Sequence, residues 1–176
     1  RTRDLNAARC WLRGQRRATE RAGLLASSNA LRLKPEGIFV KNELDVCNWF
    51  LNETADVRSS NALEDAATEF AVQGLELDWT CVAWDLNLRR TGDDADTWQA
   101  RDFRGTKWQM IRAGDDAIGR AEYVRNAYRV LLTRARQGMV IFVPRGDAED
   151  ATRPPAEYDA VDRWLADCGI PELPVG

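Results

Sequence analysis

Residues 121–144, AEYVRNAYRVLLTRARQGMVIFVP, constrain the fold more than any other stretch. They read as an amphipathic helix running straight into a buried strand, with Gly138 as the punctuation between them. At about 100° per residue, Tyr123, Val124, Ala127, Tyr128, Val130 and Leu131 share one arc of a helix expected over 121–136. Arg125, Arg129 and Arg136 fall on the opposite, solvated face, whereas Arg134 falls inside the apolar arc. A guanidinium cannot shed its charge, and burying it unpaired is costly. Arg134 therefore needs either the last carbonyls of its own helix, which it would cap, or an anion delivered from outside the domain.

The rest of the composition narrows the classes of function. A chain of 176 residues is long enough for one domain with a real core, and 44% hydrophobic with 30% charged residues fits a globular protein. The net charge of −3 gives no global basic footprint. Cationic charge is nonetheless almost all arginine, since only Lys34, Lys41 and Lys107 are lysines. Arginine suits bidentate contacts with phosphate or carboxylate, and it is also what a GC-rich genome encodes. No histidine occurs, so Ser-His-Asp and Cys-His catalysis and the commonest metal ligand are excluded from within the chain. Cys10, Cys47, Cys81 and Cys168 lack CxxC spacing and read as buried free thiols of a reducing, cytoplasmic compartment. No apolar run reaches the roughly 18 residues of a membrane span. The first residue, Arg1, is not methionine, which suggests a piece of a longer protein.

Read in order, the chain alternates helices and strands. Asp4 can cap a helix through about residue 21, ended by Gly23. LLASS (24–28) and IFVK (38–41) read as strands, and ELDVCNWFL (43–51) as a helix. ALEDAATEFAV (62–72) starts helix-like and ends as strand, QGLELD (73–78) is a turn, and WTCVAWDL (79–86) is a central strand. Residues 87–119 read as a long loop, and AEYDAVDRWLADCG (156–169) as a C-terminal helix stopped by Gly169 and Pro171. This order predicts one α/β domain over 1–176 with a largely parallel sheet, a long insertion loop at about 87–119 and a terminal helix at about 155–169.

Neither GxxxxGK[ST] nor GxGxxG occurs, so the chain holds no P-loop and no dinucleotide fingerprint. Two stretches remain. Gly74 in QGLELD permits close backbone approach to a phosphate or ribose, with Glu76 beside it. Together, TEFAVQGLE (68–76) and YRVLLTRAR (128–136) resemble, in this order, motifs V and VI of superfamily 1 helicases, found in the second RecA-like domain. The Gln73-Gly74 pair is closer to the RecD-like branch than to the UvrD-like branch. With GLLASSNALRL, NWFLN, FRGTKW and NAYRVLLTRARQGMVIFVPRGD, nearly all of residues 21–170 resembles the C-terminal part of the Schlafen-group-3-like DNA/RNA helicase domain family.

The resemblance implies a RecA-like three-layer fold, ATP and Mg²⁺ as cofactors of the full-length protein, and two partners. One is nucleic acid, DNA or RNA; the other is an N-terminal P-loop RecA-like domain of the same protein, without which the fragment is expected to bind no nucleotide and to be inactive. It implies that Arg134 is an arginine finger reaching a γ-phosphate, a role worth roughly 10³–10⁵ in rate. Gly74 and Glu76 match positions near ribose and phosphates, Thr68 a position near the nucleic-acid backbone, and Gln73 a position coupling the two. Where UvrD-like enzymes carry a motif IV arginine, Ser27 and Ser28 stand here, with Arg32 slightly later as a substitute.

Two residue-level readings stand beside it. Trp98 and Trp108 sit among Arg101, Arg104, Lys107 and Arg112 and are candidate stacking faces for bases, opposed by Asp93, Asp94 and Asp96, whereas Trp79 and Trp84 read as core. Glu43, Asp45, Glu76 and Asp78 admit a metal-dependent nuclease, and a helicase fold without activity admits an inert nucleic-acid-binding scaffold.

Overall fold

The computed structural model describes residues 1–40, 43–91, 98–111 and 117–174. Lys41, Asp93, Asp94, Asp96 and Arg112 lie outside the described residues. Helix α1 spans Leu5–Gln15, and the Asp4 carboxylate caps it by accepting from the amides of Asn6 (2.7 Å) and Ala7 (3.1 Å). The helix stops well before residue 21. A turn follows in which the Glu20 carboxylate takes the Arg17 amide, and strand β1, Ala22–Ala26, then begins.

Four strands make the central sheet: β1, β2 (Ala66–Ala67), β3 (Leu77–Ala83) and β7 (Ala135–Phe142), in the order β2-β1-β3-β7 with every pairing parallel. Strand pleating sends alternate residues to opposite faces. Leu24, Ala26, Cys81, Ala83, Val140 and Phe142 cluster with Ala8 and Leu12 of α1. Leu25 and Val82 cluster with Trp49 of the short helix α2 (Val46–Leu51) and Leu131 of α3 (Ala117–Leu132). Ile141 joins Tyr128 of α3 and Tyr158, Val161 and Leu165 of α4 (Pro155–Asp167). Helices on both faces of a parallel sheet make this the expected α/β, RecA-like three-layer domain. No helix among the described residues is long and apolar enough to cross a membrane.

Three readings change. Both Gly23 and Gly138 lie inside strands rather than between elements. A Cβ on Gly23 would stand 2.9 Å from Trp49 Cζ2, and one on Gly138 would stand 2.8 Å from Trp79 Cζ3. The glycines are there because indole rings lie flat on the strand, which a sequence of local turn signals does not reveal. The Trp79 ring is held by its Nε1 donating to Glu20 (2.9 Å) and by the edge of Trp11 (5.6 Å). Gly138→Ala is therefore expected to cost about 1–3 kcal/mol, as overpacking does, read from the urea midpoint at unchanged m value. A midpoint equal to that of the parent would mean the ring yields freely.

The insertion at 87–119 is the second change. Its described residues form an antiparallel meander of β4 (Leu88–Arg90), β5 (Trp98–Arg104) and β6 (Lys107–Met110) rather than a loop, and 117–119 already belong to α3. The β5–β6 hairpin closes through Gly105, whose φ of +61° suits the first central position of a tight two-residue turn. Third, within the expected strand 38–41 the described residues 38–40 show only an isolated bridge from Val40 to Ala66. Of the cysteines, all free, Cys81 alone is buried, and burial pushes its thiol up to about 12, while Cys10, Cys47 and Cys168 are exposed rather than buried as expected.

Candidate functional site

Helix α3 does not reach residue 136. It ends at Leu132, where the Thr133 hydroxyl donates to the carbonyls of Arg129 (2.9 Å) and Val130 (3.0 Å). Arg134 then stands in the junction, one residue before β7, and Arg136 stands on the strand. The half-buried Arg134 guanidinium donates from Nε to Val130 O at 3.0 Å, from Nη1 to Leu75 O at 3.5 Å, and from Nη2 to Thr133 Oγ1 at 3.2 Å. The capping role foreseen for it is thus seen, and it bonds carbonyls and a hydroxyl, with no carboxylate partner among the described residues.

Glu76 stands in the equivalent place, one residue before β3. Leu77 pairs with Ala135 in the sheet, and the Leu77 amide donates to Arg134 O at 3.0 Å. The exposed Glu76 carboxylate faces Arg136 at 3.9 Å. Gly74, exposed, has φ +83° and open space where a Cβ would be, and Gln73 beside it is exposed. So Gln73, Gly74, Glu76 and Arg134, some sixty residues apart in the chain, meet at the N-terminal edge of the parallel sheet.

Thr68 lies at the opposite edge. It follows β2 directly, and the turn run 68–74, with the Val72 amide on Thr68 O (3.0 Å), carries the chain from one edge of the sheet to the other. Beside Thr68, the carboxylate of Glu69 is 6% exposed and fully engaged. It accepts from the Ser28 amide (2.8 Å), the Ser28 hydroxyl (2.7 Å) and the Tyr123 hydroxyl (2.6 Å). Burial first, and then that hydrogen bond, push the Tyr123 phenol up to about 12, so it stays the proton donor. Ser28, Asn29, Thr68, Phe70 and Tyr123 line a cavity of about 430 Å³. It opens outside the carboxyl ends of β1 and β2, the edge of such a sheet at which ligands bind.

A buried polar network stiffens this edge. Asp85, fully buried, accepts from the amides of Leu86 (2.7 Å) and Arg32 (2.9 Å) and from the Tyr158 hydroxyl (3.0 Å), and burial raises its carboxyl to about 6. Tyr128 donates to Asn87 Oδ1 (2.7 Å), and Asn87 donates in turn to the Ser27 hydroxyl (3.0 Å).

Residues 1–145 match the family model described as Schlafen group 3, DNA/RNA helicase domain. The chain belongs to this family. Comparison with curated proteins and with solved structures gave no significant match. The matched part of the helicase domain contains both sheet edges and ends just after β7, leaving out α4.

The other expected residues of the helicase domain make contacts of their own. Trp98 packs against Trp84 (5.5 Å) and the edge of Trp164 (4.9 Å). Trp108 donates from Nε1 to Thr152 O (2.7 Å), meets Phe103 edge-on and carries the Arg89 guanidinium 5.1 Å above its ring. Arg104 is exposed and reaches Asp102 at 3.2 Å. Arg32 is not free at the strand end, because it pairs with Asp150 and lies over Phe103 at 5.2 Å. The four carboxylates of the nuclease reading do not converge. Asp45 caps α2 through the Asn48 amide, Asp78 accepts from Arg21 and Gln137, and Glu76 faces Arg136. Among the described residues no group of three potential metal ligands forms. Sequence reasoning missed Glu69, Phe70 and Tyr123; their one signal was adjacency, since Glu69 and Phe70 directly follow Thr68.

Proposed function

We propose that this helicase domain is the C-terminal motor half of an ATP-dependent superfamily-1-type DNA/RNA helicase or translocase, with Arg134 as its arginine finger. One observation carries the reading: Glu76 and Arg134 flank paired starts of neighbouring strands, and among the described residues no carboxylate neutralises the Arg134 guanidinium there. An anion brought by another domain supplies that missing charge. The residues fit a nucleotide. Gly74 leaves backbone open for close approach, Gln73 and Glu76 are exposed for ribose and phosphate contacts, and the Arg134 guanidinium, held by the carbonyls of Val130 and Leu75 and the Thr133 hydroxyl, carries a charge that a phosphate would pair. Bound MgATP would supply the phosphoryl group, and an N-terminal P-loop RecA-like domain of the same protein would hold its other side. This chain contributes positive charge aimed at the transferring phosphoryl oxygens, the kind of preorganised stabilisation on which phosphoryl transfer depends.

Nucleic acid lies along the opposite edge, past Thr68 and toward Arg104. Because the turn run 68–74 links the two edges through Gln73, displacement at the nucleotide side is transmitted to the nucleic-acid side. In the full-length protein, ATP hydrolysis is expected to rise severalfold or more on addition of single-stranded DNA or RNA. Hydrolysis that ignores both, or none at all, would sink the motor reading and leave an inert scaffold.

A further inference from the structure

Among the described residues only Phe39 and Phe70 are exposed aromatics, and Phe70, at 63% exposure, is the more open. A lone exposed phenylalanine is ordinary, so it is the setting of Phe70 that distinguishes it. Phe70 is also not loose. Tyr123 stacks against one face with ring centroids 5.9 Å apart and planes 26° apart. The Tyr123 hydroxyl is fixed on Glu69, and Glu69 is clamped by the amide and hydroxyl of Ser28. This clamp gives Ser28 a use at the position where the related motor enzymes carry an arginine: it ties the end of β1 to the end of β2 and holds the aromatic pair rigid.

The surroundings match a nucleotide strand. The cavity in front of Phe70 is lined by Ser28, Asn29 and Thr68, neutral polar groups suited to base edges. Asn29 and Tyr123 also line the neighbouring cavity of about 380 Å³, so the two form one continuous groove. That second cavity carries Arg104 and Arg120, side chains 58% and 44% exposed, which share the single carboxylate of Asp102. Among the described residues lining it, one positive charge is left over for phosphate.

We propose that Phe70, backed by Tyr123 and the Ser28–Glu69 clamp, is a base-stacking platform for single-stranded nucleic acid, with the adjoining backbone phosphates held at Arg104 and Arg120. This rests on the reading that the C-terminal edge of the sheet faces nucleic acid. A π-face tolerates any base, so the platform positions the strand without choosing its sequence.

The test is binding of a labelled oligothymidylate and its ribose counterpart to the full-length protein, titrated over a range of salt. Phe70→Ala is expected to weaken binding roughly 5- to 150-fold, as loss of one stacked base does. The slope of log affinity against log salt should not change, because stacking releases no counterions. Phe70→Trp should restore affinity. Arg104→Ala and Arg120→Ala should each flatten the slope by about 0.7, the share of one phosphate contact on a single strand. Phe70 is at the surface, so its loss should leave the urea midpoint in place. Equal affinity of Phe70→Ala and the parent, with the arginine variants weakened, would overturn the platform while keeping the path. A parent protein that binds neither oligonucleotide would overturn the nucleic-acid reading of this edge itself, and the platform with it.

Discussion

Replacing Arg134 by alanine in the full-length protein is expected to lower nucleic-acid-stimulated ATP turnover by roughly 10³–10⁵-fold, the range an arginine finger supplies. The stability cost should be small beside that. Arg134 donates to Val130 O at 3.0 Å and more weakly to Leu75 O at 3.5 Å, and such bonds contribute about 0.5–1.5 kcal/mol net. The helix end keeps the Thr133 hydroxyl on its last carbonyls in the variant. Arg134→Lys keeps the charge but loses the planar fork and should recover little of the rate. Steady-state turnover and a urea melt on the same preparations separate the two roles of this residue. A turnover loss no larger than the change in folded fraction would reduce Arg134 to a helix cap.

Trp49→Ala is expected to have the largest effect on the fold, about 3–5 kcal/mol, as deletion of a buried large aromatic does. Trp49 is 1% exposed and packs with Leu25, Ala67, Val72, Leu77, Val82 and Leu131, so its ring joins three strands and the end of α3. Its Nε1 donates to Asp65 O at 3.1 Å, which fixes the approach to β2. Helix α2 has only six residues, too few to be stable alone, so the indole is what keeps it on the sheet. Gly23 exists to admit that ring, and a bare strand face would be left behind. Against a typical total of about 5–15 kcal/mol, this loss would bring the domain close to unfolding at room temperature. A shift of the urea midpoint worth less than about 1 kcal/mol would mean that the site collapses without a cavity.

The layout of the domain was legible from the chain wherever the signal was local. The strands expected at 24–28 and 79–86 overlap β1 and β3, and the period of Val124, Ala127, Tyr128 and Leu131 marks a helix on the sheet. The resemblance implies that Glu76 and Arg134 share a nucleotide, and in the sheet the residues that follow them, Leu77 and Ala135, pair. The meander at 88–110 was not legible, because its strands are short and half-buried and their alternation mixes charge with aromatics.

By itself the sequence determined the class of fold and the absence of a P-loop from these 176 residues, since periodicity and short motifs are properties of local runs. Tertiary structure alone decided three things. It put Arg134 in a strand-entry junction instead of a helix face, because Thr133 ends the helix first. It made Gly23 and Gly138 beds for tryptophan rings, because those rings come from distant segments. It also turned Trp98 and Trp108 inward and left Phe70 out, a choice set by which side chains converge on Trp84, Trp164 and Tyr123 across long stretches of chain.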